Sequence, residues 1–230
     1  MRLTGSHQRL LADLAAVGAP YPLVLAGGYA LGAHGLVDRP CRDVELATDS
    51  AVPMTDIAAV VRSGLTERGW SVRHSDAGPL EARFLLTGTG TAEGAVEECT
   101  VILLKETMWR PPVHTEYGLV LAAEDAAGIR VRALADQGLA PDLVDARAAS
   151  GRWSRPDLEE LARRHAPDTF DLTDLQARLE GSDWIDDAEF AACGLDEDGI
   201  AELRRWAHAW ADDIAERLAE EAPYEEDEGG

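Results

Sequence analysis

Apolar positions recur at helical spacing near the start of the chain, where Leu10, Leu11, Leu14 and Val17 share one face. Ser6 stands ahead of them as a suitable cap, and Gly18 and Pro20 end the helix. A short apolar run at 23–26 predicts a strand, broken by Gly27-Gly28, and a brief helix is expected over 29–34. Acid and apolar side chains then alternate through 43–47, the period of a strand with one face in a core. Ile57, Val60, Val61 and Leu65 mark an amphipathic helix that ends near Gly69. Strands are expected next at 70–74, 82–87 and 99–104, the last two joined by a Gly/Thr-rich hairpin loop at 88–94. Pro111-Pro112 closes the strand region.

From about Ala122 onward the pattern is helical, and Ile200, Leu203, Ala207, Trp210, Ile214 and Leu218 form one long final stripe. This order predicts an α+β protein: a mixed sheet with flanking helices over 1–115, then an all-helical C-terminal lobe over 116–219. Residues 220–230 are a low-complexity acidic tail expected to be disordered. Trp153, Trp184, Trp206 and Trp210 fall in the last third, which suggests that this lobe packs a core of its own, with Trp206 and Trp210 between helices.

Composition narrows the partners. With 21 basic against 43 acidic residues the formal charge is −22, which opposes nonspecific binding to a phosphate backbone but leaves room for a local basic groove. Lys105 is the one lysine, plausible either as surface or within reach of a phosphate; all other side-chain cations at neutral pH are arginines, suited to bidentate contacts. A GC-rich coding sequence would produce the same bias. Cys41, Cys99 and Cys193 are too scattered for a zinc site and read as free thiols in a reducing compartment. No secretory signal or membrane-length apolar run is present, so the expectation is a cytoplasmic protein with no membrane partner.

Two features bear on chemistry. Gly27-Gly28 between strand and helix would let a backbone approach a ligand closely and offer helix-start N–H groups to phosphate, or be an ordinary tight turn. Asp43-Val44-Glu45 on a strand puts two carboxylates on one face, roughly 6–7 Å apart, with Val44 and Leu46 turned to the core. Hard oxygen ligands at that spacing can share a magnesium ion that grips nucleotide phosphates, although acid–apolar–acid is also a common pattern of solvated surface.

Taken together, LAGGYALGAHGLVDRPCRDVELATD resembles the N-terminal signature of the AbiEii/AbiGii abortive-infection toxin family of nucleotidyltransferases. KETMWRPPV, EDAAGIRVRAL and PDLVDARAASGRWSRPDLEELA resemble later stretches of that family, so the likeness runs from about residue 23 to about residue 180. The resemblance implies a nucleotidyltransferase-like sheet in which Asp43 and Glu45 are catalytic and hold Mg2+. It further implies that Gly27 and Gly28 hold the triphosphate of a nucleoside triphosphate, that Arg130 meets its phosphates, and that Asp142 and Asp145 stand near the nucleotide. Arg39 and Arg42 flank the acid pair and would either neutralise phosphate or pair with surface acids; Arg42 is taken as nucleotide-binding. The acceptor hydroxyl would belong to RNA, a protein or a small molecule, and a cognate antitoxin is implied; the charge of −22 argues against tRNA.

Two departures stand out. The second carboxylate is Glu45 where the family has Asp, and Ile102 occupies the third-strand position that often carries another acid. Glu98 and Glu106 each lie four residues from Ile102, roughly 13 Å along an extended strand. These departures motivate a rival reading, a catalytically degenerate nucleotide- or protein-binding module. A third reading makes the acidic tail the binding element. His34 is expected to pack or cap, and His114 to sit in a loop.

Overall fold

A computed structural model describes residues 5–88 and 98–221. Most of the expected 88–94 loop and nearly all of the 220–230 tail lie outside those residues. The first helix, α1 (Gly5–Val17), buries Leu10, Leu14 and Val17 as its spacing predicts and holds Ser6 within the helix rather than ahead of it. It is followed by β1 (Val24–Leu25), α2 (Gly27–Ala33), β2 (Asp43–Thr48) and α3 (Met54–Glu67). α3 starts after Pro53, with Asp56 in its first turn, where a negative charge suits the helix dipole. Gly69, at φ +86°, turns the chain out of it. Val60 was expected on the core face of α3, yet it is exposed, at the flank of a stripe formed by Ile57, Ala58, Val61 and Leu65.

Three antiparallel neighbours follow, β3 (Ser71–Ala77), β4 (Glu81–Thr87) and β5 (Glu98–Lys105). Pro111-Pro112 does not close the strand region. Two further short strands, β6 (Val113–Thr115) and β7 (Gly118–Val120), form a hairpin, and His114 lies in the first of them. The seven-stranded sheet has the order β3-β4-β5-β2-β1-β7-β6. Its centre is parallel between β2 and β5 and antiparallel between β1 and β2; β7 joins β1 in parallel. The expected mixed sheet with flanking helices is therefore present.

The helical region comprises α4 (Ala123–Gln137), α5 (Ala140–Ala149), α6 (Arg155–His165), α7 (Leu172–Glu180), a 3-10 turn (Gly181–Trp184), α8 (Asp187–Ala192) and α9 (Glu197–Glu221). Side-chain caps open several of these helices. Ser154 and Asp157 form a capping box on α6, while Asp171 and Asp186 accept from the backbone N–H groups of Thr173 and Ala188. Gly138, in the left-handed region at φ +67°, terminates α4.

Buried residues form two clusters. One lies on the sheet with α1, α2 and α3; the other is helical, with Phe190, Leu203, Trp210 and Ile214 at its heart. α4 belongs to both: Ala126 and Ile129 pack toward the sheet, and Val131 and Leu134 toward the helices. A helix buried on so many sides must be narrow, which its alanines and Gly128 provide. A Cβ at Gly128 would stand 2.5 Å from the carbonyl oxygen of Leu161 on α6. Trp210 is buried, edge-on to Trp206, and its indole donates to Glu159. Trp184 departs from the expectation of a tryptophan-rich core and is 90% exposed.

Candidate functional site

On β2 the residues alternate as their sequence requires: Val44 and Leu46 are buried, while Asp43 and Glu45 face the opposite side. That side looks into a cleft of about 320 Å³ between the sheet and the helical lobe. Of the residues expected at the site, Gly28, Arg42, Asp43, Glu45, Arg130 and Asp142 line it. Gly27 and Asp145 do not; they stand behind its wall and hold those that do.

Arg130, on α4, is the centre of the arrangement. Its guanidinium pairs with Glu45 of β2, donates to Asp142 of α5 at 3.0 Å and lies 3.1 Å from Asp145. Arg39 grips both oxygens of Asp145, each at 2.7 Å. The result is a charge chain, Glu45–Arg130–Asp145–Arg39, with Asp142 as a branch. Burial works to lower the Arg130 pKa, but the charges of Glu45, Asp142 and Asp145 outweigh it and hold the group firmly protonated. For Asp142 burial prevails over the attraction of Arg130, and its pKa is pushed up to about 6.

The two glycines act through this chain. Gly27 adopts φ +61°, and a Cβ there would stand 2.4 Å from the Glu45 carboxyl carbon and 2.6 Å from an Arg130 nitrogen. A Cβ on Gly28 would meet Arg39 at 2.7 Å and the Cys41 sulfur at 2.8 Å. The close approach expected at this turn is thus made to the side chains of the site. Tyr29, next on α2, ties the turn down: it is hydrogen-bonded to His7 and donates to the carbonyl of Cys41 at 3.3 Å.

Register settles the third-strand position. Glu45 pairs with Ile102 on β5, and Ile102 with Arg83 on β4, so one row across the cleft floor reads acid, apolar, base. Glu98 is exposed at the start of β5. Glu106 is buried away from the cleft, held by Arg132 at 2.6 Å and lying 3.6 Å from His165. His165 also lies 3.7 Å from Asp125. Lys105 is occupied by the carbonyls of Ser50 and Val52 and does not face the cleft. His34 packs, bonding the Leu121 carbonyl oxygen at 2.7 Å.

Arg39, left undecided between phosphate and surface acid in the sequence, is a buried clamp on Asp145. Arg83, Arg132 and Glu189 of α8 line the cleft without having been singled out. Strand parity would have found Arg83, since it shares a face with Glu81 and Leu85 on β4, opposite the buried Ala82, Phe84 and Leu86; nothing local marks the other two. Five arginines line this one cleft beside five carboxylates, Asp43, Glu45, Glu81, Asp142 and Glu189, so it is balanced in charge within an overall acidic chain.

The donor set can be tested against a divalent cation. Within the charge chain Glu45, Asp142 and Asp145 share only Arg39 and Arg130, an excess of one carboxylate. The Asp43 side chain makes no ion pair or hydrogen bond among the described residues, and Glu45 lies beside it on the same face. No group of three or more His, Cys, Asp or Glu among the described residues is placed to hold a metal by itself. Magnesium does not need such a cage, since it is usually held by one or two carboxylates together with substrate phosphates and water. The residues present fit an ion bound in that shared way.

The fold and cleft define the class: this is a nucleotidyltransferase-like fold. Over 96% of its length the chain is similar to the crystal structure of a candidate nucleotidyltransferase from H. pylori, covering all of that chain at 14% identity and a TM-score of 0.56. It is similar over 95% of its length to JHP933 from Helicobacter pylori, covering 96% of that chain at 17% identity and a TM-score of 0.54. No protein-family model matches the chain, and no curated protein matches it. No helix among the described residues is long and apolar enough to cross a membrane.

Proposed function

We propose that this protein is a magnesium-dependent nucleotidyltransferase that moves a nucleoside monophosphate from a nucleoside triphosphate to an acceptor hydroxyl. The observation that carries the reading is the meeting, in one cleft, of Asp43 and Glu45 from β2 with Arg130 and Asp142 from α4 and α5. The likeness to the H. pylori candidate nucleotidyltransferase supports it. In the reaction the acceptor oxygen forms a bond to the α-phosphorus, the bond from that phosphorus to the β-phosphate oxygen breaks, and pyrophosphate leaves. The acceptor proton passes to water at the open mouth of the cleft.

Asp43 and Glu45 would hold the magnesium ion, which when bound supplies charge neutralisation to the phosphates. Arg42 and Arg130 bind and orient the triphosphate; the Arg42 guanidinium makes no hydrogen bond or ion pair among the described residues. Phosphate binding draws Arg130 away from Glu45 and so frees that carboxylate at the moment substrate arrives. Asp142 and Asp145, the latter gripped by Arg39, hold the Arg130 side chain from behind. Positioning and electrostatics of this kind supply most of the catalysis in phosphoryl chemistry. A toxin role like that of the AbiEii/AbiGii family, with a separate antitoxin, is the biological setting this activity would suit.

One observation favours a second reading. Ile102 faces Glu45 where a third carboxylate would complete the set, and Glu45 is already paired with Arg130. A domain that binds nucleotide without turning it over would tolerate both. The test is a thermal-shift titration with the four nucleoside triphosphates, with and without magnesium, on wild type and Asp43→Ala. The proposal expects a magnesium-dependent stabilisation by at least one triphosphate that the variant loses. Transfer of label from an α-phosphate-labelled triphosphate to RNA, protein or small-molecule fractions then separates enzyme from binder. No stabilisation by any triphosphate would sink both readings of the cleft.

A further inference from the structure

The sheet side of the cleft is built differently from its helix side. Three of the five cleft arginines are committed to buried carboxylates: Arg39 to Asp145, Arg130 to three acids, and Arg132 to Glu106 through two hydrogen bonds. On the sheet side Arg83 has one partner, Glu81, two residues along its own strand at 3.2 Å, and both side chains are about half exposed. Such a pair contributes little and is readily exchanged for another anion.

Arg83 does not stand alone on the floor. It pairs with Ile102 across β4 and β5, and Glu81 pairs with Leu104 in the same register. Ile102 and Leu104 are half-buried and line the cleft, forming an apolar shelf about two strand spacings wide between Glu45 on one side and Arg83 on the other. Adjacent strands lie roughly 4.8 Å apart, so the Arg83 backbone is about 10 Å from that of Glu45. A guanidinium reaching back over the shelf leaves room for a few carbon atoms between its charge and the carboxylates of β2.

We infer that this shelf is the acceptor subsite, and that Arg83 selects a small hydroxyl compound carrying a phosphate or carboxylate a few atoms from the hydroxyl. The inference rests on the nucleotidyltransferase reading for the word acceptor; the anion subsite itself rests only on the β4–β5 floor. Ile102, the residue that departs from an acidic third strand, then has a positive role. It supplies apolar contact for the acceptor's carbon skeleton, where a carboxylate would repel the anion beside it. A cleft of about 320 Å³ suits a compact ligand, and the charge of −22 works against a long polyanion.

The test uses the full chain, glycerol 3-phosphate as probe and glycerol as its uncharged control, in calorimetric titrations. The protein is first saturated with magnesium and an α,β-methylene triphosphate, which occupies the nucleotide site without reacting. Wild type is expected to bind glycerol 3-phosphate and not glycerol at millimolar concentration. Arg83→Gln should weaken the probe at least tenfold and leave nucleotide affinity unchanged, with Arg83→Lys recovering part of the loss. Equal binding by wild type and Arg83→Gln overturns the inference, as does no binding by wild type. Displacement of the nucleotide by the probe also overturns it, because the anion would then be occupying the triphosphate site. So does Arg83-dependent binding of a short RNA in place of the small probe. If the protein takes no nucleotide, the proposed function fails by itself. The same titration without nucleotide then judges the subsite: an Arg83-dependent signal retains it, and its absence removes it.

Discussion

Replacing Arg130 with methionine removes the one cation that touches Glu45, Asp142 and Asp145 together, and its cost follows from what each acid has left. The Arg130 side chain is only 9% exposed, and the three carboxyls are 15%, 5% and 0% exposed. Breaking a buried pair by removing one partner costs about 3–5 kcal/mol. Asp145 keeps Arg39, so it is not orphaned. Asp142, already raised to about 6 by burial, loses its attraction and moves higher, each further unit adding about 1.4 kcal/mol at a pH where it must ionise. A carboxyl whose folded pKa lies above its unfolded value carries no penalty at low pH and a growing one as pH rises through the folded value. The difference between wild type and Arg130→Met is therefore about 2 kcal/mol at pH 5, rising to about 4 kcal/mol at pH 8. For a chain of this size the latter is a fall of roughly 8–16 °C in Tm. Urea unfolding followed by tryptophan fluorescence at both pH values measures it. A loss under about 1 kcal/mol at pH 8, or a larger loss at pH 5 than at pH 8, would refute the view that Arg130 neutralises these buried acids.

Two other perturbations probe the same framework. Gly27→Ala forces a side chain into φ +61° and against the Glu45 carboxyl; it should cost about 1–3 kcal/mol and displace Glu45. Chemical denaturation and the magnesium-dependent nucleotide shift should both register it, and an unchanged nucleotide response would mean that Glu45 is not held by this turn. For His165, burial works to lower the pKa, but Asp125 and Glu106 outweigh it and the value is raised. Its contribution is then full below its unfolded pKa and lost as pH rises through the folded one. His165→Gln should accordingly lose more stability at pH 6 than at pH 9 in thermal melts, and equal losses would exclude an imidazolium between those acids.

Much of the site was legible because it depends on strand parity. Alternation at 43–47 was enough to turn Asp43 and Glu45 to one side, and the family resemblance singled out Ile102, which the β2–β5 register puts opposite Glu45. What stayed hidden depends on distant partners. β6 and β7 have three residues each, too few for a period to show, and β7 exists as a sheet strand because Val120 pairs with Leu25 some 95 positions earlier. No local pattern says that Arg130 reaches Glu45, or that Arg39 turns inward to Asp145 instead of outward to solvent. Lys105 was ambiguous for a similar reason, since the carbonyls it satisfies belong to the loop after β2. Trp184 shows the converse limit: a large aromatic in a helical region attracts a core assignment, yet the short 3-10 turn that carries it points it outward.

The charge chain also sets a timetable for synthesis. Arg39 and Asp145 are 106 residues apart, and Glu45 and Arg130 are 85 apart. A growing chain that has emerged only as far as β7 contains Asp43, Glu45 and the glycine turn, but neither Arg130, which pairs with Glu45, nor Asp145, which Arg39 grips. The charge chain can close only after α5 leaves the ribosome, and the wall that α8 adds to the cleft comes later still. On the function proposed above, that ordering leaves unfinished chains without the arginine that would meet the nucleotide.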